Sequence, residues 1–433
     1  MTTIEIFGDF HFLEKETRIG TLQYERLKGF ASYRFCYDDA FLAKYGNTIL
    51  SADIGNFAGW QSTQAGIFSF LGDAMPDRWG KALIDKRERM LAAKLERPAR
   101  TYDDFGYLVN VDDTTRMGAL RFRYNGTIIG ASPDSRNIPP HTSLGQFIRD
   151  AQEFEKEDIN NRSTFNEEWI DNIWIQGSSL GGARPKANVV DANENIWIAK
   201  IPSIKDTYDI ALWEHFASLL AKKAGIKTAE TKLLQIGPTP YHTLLSKRFD
   251  RDKKKRIHFA SSITLSGLKD GDGADTGRGY IDIADTIVGT AGIANTQANL
   301  EELFRRAAFN IMIGNHDDHF RNHGFLLDKN GWTLSPAYDM NPTNSKTQSL
   351  LISPQSNESS LKELYKASEY YLLNRKTTEE IIRQITSAVS KWESTAIQTG
   401  IAARERQRFK LRIESSIHDS NTLFPPQKHF LKH

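Results

Sequence analysis

Short apolar runs separated by turn residues fill the first 125 residues: Ile4 to Phe7, Thr21 to Tyr24, Ala31 to Tyr37 and Gly118 to Tyr124. Their length and their content of β-branched and aromatic residues predict the strands of a small α+β unit. Between them, Arg78 to Leu95 sets Trp79, Leu83, Ile84, Met90 and Leu91 among many Lys and Arg, the pattern of an amphipathic helix with a solvated basic face. Residues 132–143 are rich in proline and small polar groups and mark a domain boundary. Beyond it, Ala187 to Val190 and Ile196 to Ile201 predict two strands joined by the turn Asp191 to Asn195, preceded by the loop Gly177 to Lys186.

Tyr208 to Ala224 has helical spacing at Leu212, Trp213, Phe216, Leu219 and Leu220, with Asp206 or Thr207 to cap it and Gly225 to end it. Tyr241 to Phe249 predicts another strand. Residues 267–279 hold five glycines and three aspartates, which predicts a mobile loop. The chain then turns helical, with the 3.6-residue period over Leu300 to Ile313, Leu361 to Leu373, Thr378 to Glu393 and Ile401 to Ser415. Three regions are expected: an amino-terminal α+β subdomain over 1–131, a mixed region over 144–260, and a helical region over 280–433.

Composition adds exclusions. Of 433 residues 39% are hydrophobic and 25% charged, ordinary globular values that argue against disorder and low-complexity repeats. Fifty-six Lys and Arg against 54 Asp and Glu leave a net charge of +2, so no global field draws the chain to nucleic acid or a membrane. The single cysteine, Cys36, cannot form an internal disulfide. With an opening that lacks a leader pattern, it predicts a reducing cytoplasm. No apolar run reaches the roughly 20 residues a bilayer span needs.

The densest chemistry lies in Gly314-Asn315-His316-Asp317-Asp318-His319-Phe320-Arg321-Asn322-His323, between a predicted helix and the strand-like Phe325 to Leu327. Asp, Asn and His are ordinary turn residues, so a solvated loop is the plain alternative. The spacing argues for more. Asp317 and Asn322 stand at the D-x-x-x-x-N interval by which protein kinases place a base at the substrate hydroxyl and an amide oxygen on magnesium. Asp339, after Leu334-Ser335-Pro336-Ala337-Tyr338, stands at the place of a second metal ligand, and one amide plus one carboxylate suits Mg2+ completed by phosphate and water. Lys200 ends a predicted strand and Glu214 follows on the next helix, the order of the phosphate-contacting lysine and its orienting glutamate. Gly181-Gly182-Ala183-Arg184-Pro185-Lys186 is neither a Walker A loop nor the usual kinase glycine loop. Its glycines still allow backbone amides to approach a phosphate, with Arg184 and Lys186 supplying charge.

These stretches, with Lys247-Arg248-Phe249-Asp250-Arg251, Met75-Pro76-Asp77-Arg78-Trp79-Gly80 and Met117-Gly118-Ala119-Leu120-Arg121, resemble the successive motifs of the HipA family of serine/threonine kinase toxins. The resemblance implies an α+β, two-lobed protein-kinase-like fold of HipA type, with a small β-rich amino-terminal subdomain and an all-helical C-terminal lobe. It implies ATP and Mg2+ as cofactors, Asp317 as catalytic aspartate, Asn322 and Asp339 as metal ligands, and Lys200 on the phosphates. It also implies a phosphate loop over Gly181, Gly182, Ala183, Arg184 and Lys186. Lys247, Arg248 and Phe249 would lie beside adenine, with His319 and Tyr338 near the nucleotide. A serine before the phosphate loop is autophosphorylated in the family, and Ser179, or its neighbour Ser178, holds that place. Phe320-Arg321 departs from the small residue and lysine common there.

The implied partners are an aminoacyl-tRNA synthetase as protein substrate and a HipB-like helix-turn-helix antitoxin, with DNA reached through the antitoxin and no membrane. Two rival readings remain. Gly8-Asp9-Phe10-His11 and Gly314-Asn315-His316-Asp317 match pieces of a metallophosphoesterase signature, although some 300 residues separate them and Gly314 follows a helix where a strand is expected. A pseudokinase binding module would keep the fold without the chemistry.

Overall fold

The computed structural model describes residues 1–425 apart from Lys28, residues 64–65, 132–137 and 161–175, and the single positions 181, 183, 238, 291 and 344. The chain divides into two compact units, each assembled from separate stretches. The first comprises Met1–Ala211, Thr231–Gly267 and Phe325–Thr333; the second comprises Leu212–Glu230, Leu268–Gly324 and Leu334–His433.

The first unit opens with a six-stranded sheet of order β4-β3-β2-β1-β5-β6, built from β1 (Thr2–Gly8), β2 (Thr17–Leu27), β3 (Phe30–Tyr37), β4 (Trp60–Ser62), β5 (Leu120–Tyr124) and β6 (Thr127–Ile128). Strict alternation along β1 buries Ile4 and Ile6 and leaves Thr3 and Glu5 outside, so one face becomes core. The predicted basic helix forms over Arg78–Lys94 and buries Trp79, Leu83 and Ile84. A second helix, Leu144–Asn160, contributes Leu144, Phe147, Ile148 and Ala151. Both pack on a four-stranded antiparallel sheet of order β7-β8-β10-β9, made of β7 (Lys186–Val190), β8 (Ile196–Lys200), β9 (Thr231–Leu234) and β10 (Thr243–Lys247). Ala187, Val189, Trp197, Ala199 and Leu245 form the shared core there.

Beyond β10 the chain enters a knot of buried charge. Asp250 is 1% exposed and accepts hydrogen bonds from Arg248 Nε (2.8 Å) and Nη2 (2.6 Å), Arg251 Nη1 (2.7 Å) and the amide of Gly118 (2.8 Å). Arg248 also donates to the carbonyls of Thr115 and Arg116 and to Asn188 Oδ1, and Arg251 to those of Gly118 and Arg116. Burial opposes the charge on Asp250, yet the two guanidinium groups and the Gly118 amide hold its carboxyl far below the usual range. Gly118 itself needs φ +71°, and a Cβ there would sit 3.1 Å from the Phe259 amide, so glycine suits this crossing. A three-stranded sheet, β11 (His258–Ser261), β12 (Gly324–Asp328) and β13 (Gly331–Leu334), completes the unit. The Trp332 indole of this sheet donates to the Ile49 carbonyl (2.8 Å).

The second unit is helical. Thr296–Ile313 is its central helix, with Leu300, Leu303, Phe304, Ala307, Ala308, Ile311 and Met312 all at most 1% exposed. Against it pack Tyr280–Gly289, Arg375–Val389 and Ala403–Leu423, and Ile210–Lys223 meets the last of these through Trp213 and Phe409, ring centroids 4.7 Å apart. The stretch predicted as one helix from Leu361 to Leu373 splits into Leu361–Lys366 and a 3-10 turn, Ala367–Tyr371, where Leu372 takes φ +52°. The stretch ending at Glu393 likewise breaks after Val389 and restarts at Trp392. The glycine-rich residues 267–279, expected to be mobile, carry a 3-10 turn at Ala274–Thr276. The Ala274 amide donates to Ser349 (2.8 Å) and that of Arg278 to Gly273 (2.8 Å), so main-chain bonds give the segment a defined course. Among the described residues no helix is long and apolar enough to cross a membrane.

Removing one partner of a buried charge network leaves the others uncompensated, which costs about 3–5 kcal/mol. Asp250→Ala is expected to lower stability by that amount, read as a fall in the urea midpoint; an unchanged midpoint would show that the arginines find other acceptors.

Candidate active site

In the second unit the site grows from the end of the central helix. Gly314 adopts φ +74° and closes the helix, its amide and that of Asn315 returning to Ile311 and Asn310. The loop that follows alternates between inside and outside. His316 and Asp318 are buried, Asp317 between them is exposed, and Phe320 (1% exposed) anchors the short turn Phe320–Asn322. Asn322 is buried at the end of that turn.

Asp339 arrives on a different segment. That segment is moored by the Ala337 amide to the Lys227 carbonyl (2.7 Å) and by the Ala229 amide to the Ala337 carbonyl (3.0 Å). The Tyr338 hydroxyl donates to the carbonyl of Arg321 (2.6 Å), which ties the segment to the loop one residue before Asn322. Asp339 has φ +59°, a conformation uncommon for a residue other than glycine and found mostly where local structure or function demands it. Partial burial, and then the carboxylates of Asp339 and Asp318 working against His319, raise the pKa of Asp317 above the ordinary aspartate value. The arrangement gathers an exposed carboxylate that is reluctant to ionise, a second carboxylate near it and a buried amide. His316 is held neutral, its pKa pushed down to about 4 by burial and then by Arg412, with Nδ1 3.0 Å from the Thr343 hydroxyl.

In the first unit β7 and β8 set Lys186 directly opposite Lys200. Paired positions in an antiparallel ladder share a face, and like charges so placed repel, a penalty that an anion between them removes. Lys247 lies opposite Trp197, on the face that carries Leu245 and Val189, so the sheet brings Lys200 and Lys186 together and turns Lys247 the other way. Arg248 spends its guanidinium in the Asp250 network, and the Phe249 ring centroid is 6.1 Å from that of Phe259. Arg184 forms a two-pronged pair with Asp206 (Nη1–Oδ1 2.7 Å). Glu214 is buried on the helix Ile210–Lys223. Gly181 and Ala183 lie outside the described residues.

The residues ahead of the glycine loop are seated. Ser178 Oγ accepts from the Asp112 amide (3.3 Å) and Ser179 Oγ from Asn188 Nδ2 (3.2 Å), and both serines are buried. Gly182, at φ +79°, donates its amide to Asp77 Oδ2 (2.9 Å) and accepts at its carbonyl from the Trp79 amide (3.0 Å). The Trp79 indole donates to the Lys186 carbonyl (3.0 Å). Sequence reasoning singled out the Asp77-Arg78-Trp79-Gly80 stretch by resemblance but gave it no chemical task. It likewise passed over Asp318, Tyr280 and Asn310, where the signal available was a second aspartate directly after Asp317.

Residues 178–392 match the family model of the HipA-like C-terminal domain. A putative kinase of Haemophilus influenzae is 29% identical over 182 residues, which are 38% of this chain and 52% of that protein. The serine/threonine-protein kinase toxin HipA of Shewanella oneidensis is 25% identical over 185 residues, 37% of this chain and 42% of the relative. The chain thus spans about half the length of these curated relatives. A chain of the Shewanella oneidensis MR-1 HipA, HipB and operator DNA complex superimposes with a TM-score of 0.68 at 16% identity, covering 97% of both chains. The fold is therefore the kinase-like α+β architecture of HipA, with a small sheet-rich amino-terminal part and a helical C-terminal part. Residues 178–392 thus form a HipA-like C-terminal domain.

A Cβ on Gly80 would meet the Ser178 carbonyl and the Pro76 side chain at 2.6 Å each, whereas nothing lies within 4 Å of one on Gly72. Gly80→Ala is expected to unseat Ser178 to Gly182, read as faster proteolytic cleavage there and a lower Tm, while Gly72→Ala leaves both unchanged. Equal behaviour of the two variants would show that the seat is not tight.

Proposed function

We propose that this protein is an ATP-dependent serine/threonine-protein kinase and the toxin of a toxin-antitoxin pair. The observation that carries the reading is the exposed Asp317, close enough to Asp339 to feel its charge, on a loop whose Asn315, His316, Asp318, Phe320 and Asn322 are buried. Asp317 accepts the proton of the substrate hydroxyl while that oxygen bonds the γ-phosphorus; the bond to the bridging oxygen breaks and ADP leaves. The raised pKa of Asp317 suits a proton acceptor, and Lys200 and Lys186 place positive charge on one sheet face where phosphate charge would be stabilised.

Asn322 and Asp339 fit Mg2+: an amide and a carboxylate are hard oxygen donors, and a cation relieves the repulsion that Asp339 exerts on Asp317. When bound, magnesium would neutralise charge on the ATP phosphates. Among the described residues no three His, Cys, Asp or Glu side chains group as a metal site, and Asp9 lies near Arg121 and Arg256, at 3.8 and 3.6 Å. Those facts favour the kinase over the two-metal esterase.

The proposed roles of Gly181, Gly182, Ala183, Arg184, Lys247, Arg248, Phe249, His319 and Tyr338 toward ATP, and of Glu214 in orienting Lys200, rest on the family motifs. With its guanidinium already engaged, Arg248 would meet adenine only through its main chain. The proposed substrate is a protein, an aminoacyl-tRNA synthetase by family likeness, whose phosphorylation in the cytoplasm blocks translation and arrests growth. A HipB-like antitoxin is the proposed partner, supported by the likeness to the chain from the HipA, HipB and operator DNA complex.

Asp317→Asn is expected to cut phosphoryl transfer by roughly 10²- to 10⁴-fold, the range for a lost general base, with ATP affinity kept. Asp339→Asn should instead weaken magnesium-dependent ATP binding in calorimetry. Full transfer by Asp317→Asn would sink the assignment. The chain is also expected to phosphorylate itself at Ser179 and lose activity as it does. Since both serines are buried with Oγ engaged, the segment must leave its seat first, and the added charge of about −1.5 to −2 keeps it out. Mass spectrometry of wild type and Ser179→Ala after incubation with magnesium ATP decides this; phosphate on other residues alone would defeat it.

A further inference from the structure

We propose that Asp318 is the positioning residue of the catalytic loop, holding Asp317 and Asn322 at their working separation through one carboxylate oxygen. The inference rests on the phosphoryl-transfer reading of that loop and adds a residue to it.

Asp318 is 3% exposed. Its Oδ2 accepts from the Tyr280 hydroxyl, from Asn310 Nδ2 (2.9 Å) and from His323 Nε2 (2.8 Å). The donors belong to three separate elements: Tyr280 opens the helix Tyr280–Gly289, Asn310 lies in the last turn of Thr296–Ile313, and His323 follows the Phe320–Asn322 turn. Asn310 Nδ2 also bonds Tyr280 Oη (3.1 Å), and Asn310 Oδ1 accepts from Asn315 Nδ2 (3.1 Å), so the start of the loop joins the same network. Burial opposes the charge on Asp318, yet His323 and the Tyr280 hydroxyl more than offset it and keep the carboxyl ionised.

The connectivity is what matters for chemistry. Asp318 is covalently next to Asp317, and His323 is covalently next to Asn322. The Asp318–His323 bond therefore closes the loop directly behind both working residues, and the two helices fix that closure against the core. Charge-assisted bonds in a buried network are strong and geometrically strict, which is what a catalytic constellation needs from its support. A misplacement of about 1 Å at a reacting group can cost about 10²-fold in rate.

Asp318→Ala leaves three buried donors without their acceptor, whereas Asp318→Asn keeps an oxygen but loses the charge. The test follows phosphate incorporated into the chain from labelled ATP with magnesium, taking the first-order rate at saturating ATP and the ATP concentration for half-maximal rate. Expected is a fall of about 10²-fold or more in the saturating rate for Asp318→Ala, a smaller fall for Asp318→Asn, and half-saturating ATP within about twofold of wild type for both. Leu303→Ala, a buried core position on the same central helix, serves as a control of matched Tm loss and should keep the wild-type rate. If Asp318→Ala does not fold, Tyr280→Phe, which removes one donor and keeps the ring, must still lower the saturating rate. A wild-type rate in Asp318→Asn and Tyr280→Phe overturns the inference, as does an equal fall in Leu303→Ala. A wild-type chain that incorporates no phosphate overturns the phosphoryl-transfer reading itself and the positioning role with it.

Discussion

Asp250 is the carboxylate on which the first unit turns. Two guanidinium groups and one main-chain amide converge on it, and the same guanidinium groups reach on to the carbonyls of residues 115–118. Ion pairs this deep contribute little net stability against an apolar alternative, because desolvation consumes most of their attraction. What they impose is register. Hydrogen bonds to named carbonyls allow one seating of the 115–118 turn beside the strand that carries Lys247, and Asn188 extends the constraint from Arg248 to Ser179. The seating of Ser179, just ahead of the glycine loop, is thus linked to a charge cluster buried elsewhere in the unit.

The second unit uses the same device on a smaller scale. Asp250 and Asp318 are both buried carboxylates that several donors share, and each lies beside exposed or half-buried residues proposed to touch ligand. In the second unit the shared carboxylate is hidden, while Asp317 beside it is exposed. The loop Gly314–His323 stays irregular without being loose, since Asn315, Asp318 and His323 are tied into one hydrogen-bonded network with Tyr280 and Asn310.

Much of this was legible in the chain. Short apolar runs bounded by turn residues marked β1 and β3, and the 3.6-residue period marked the basic helix and the central helix, because each helix faces one core with one side. The D-x-x-x-x-N spacing drew attention to the loop Gly314–His323, whose buried Asp318 is shared by donors from three elements. Other features were hidden for physical reasons. The burial of Arg248 and Arg251 was hidden, since nothing local tells a buried arginine from a solvated one when its carbonyl partners are some 130 residues away. The breaks at Leu372 and after Val389 fall inside good helical periodicity, which tertiary packing overrides. The glycine-rich segment looked loose because its restraints come from Ser349, far along the chain.

The way each unit is threaded has a consequence for synthesis. The first unit draws its last hairpin from Phe325–Thr333, and Trp332 of that hairpin bonds Ile49 and lies beside His258, with ring centroids 5.4 Å apart. A chain leaving the ribosome from its amino terminus therefore cannot complete its first unit until about three quarters of it has been made. Contacts of such long sequence separation form slowly, after their loop entropy has been met. Lys200 emerges long before Asp339, but the unit that holds it stays unfinished until the strand just ahead of Asp339 is in place. The order of translation thus leaves the first unit incomplete for most of the time the chain is being made.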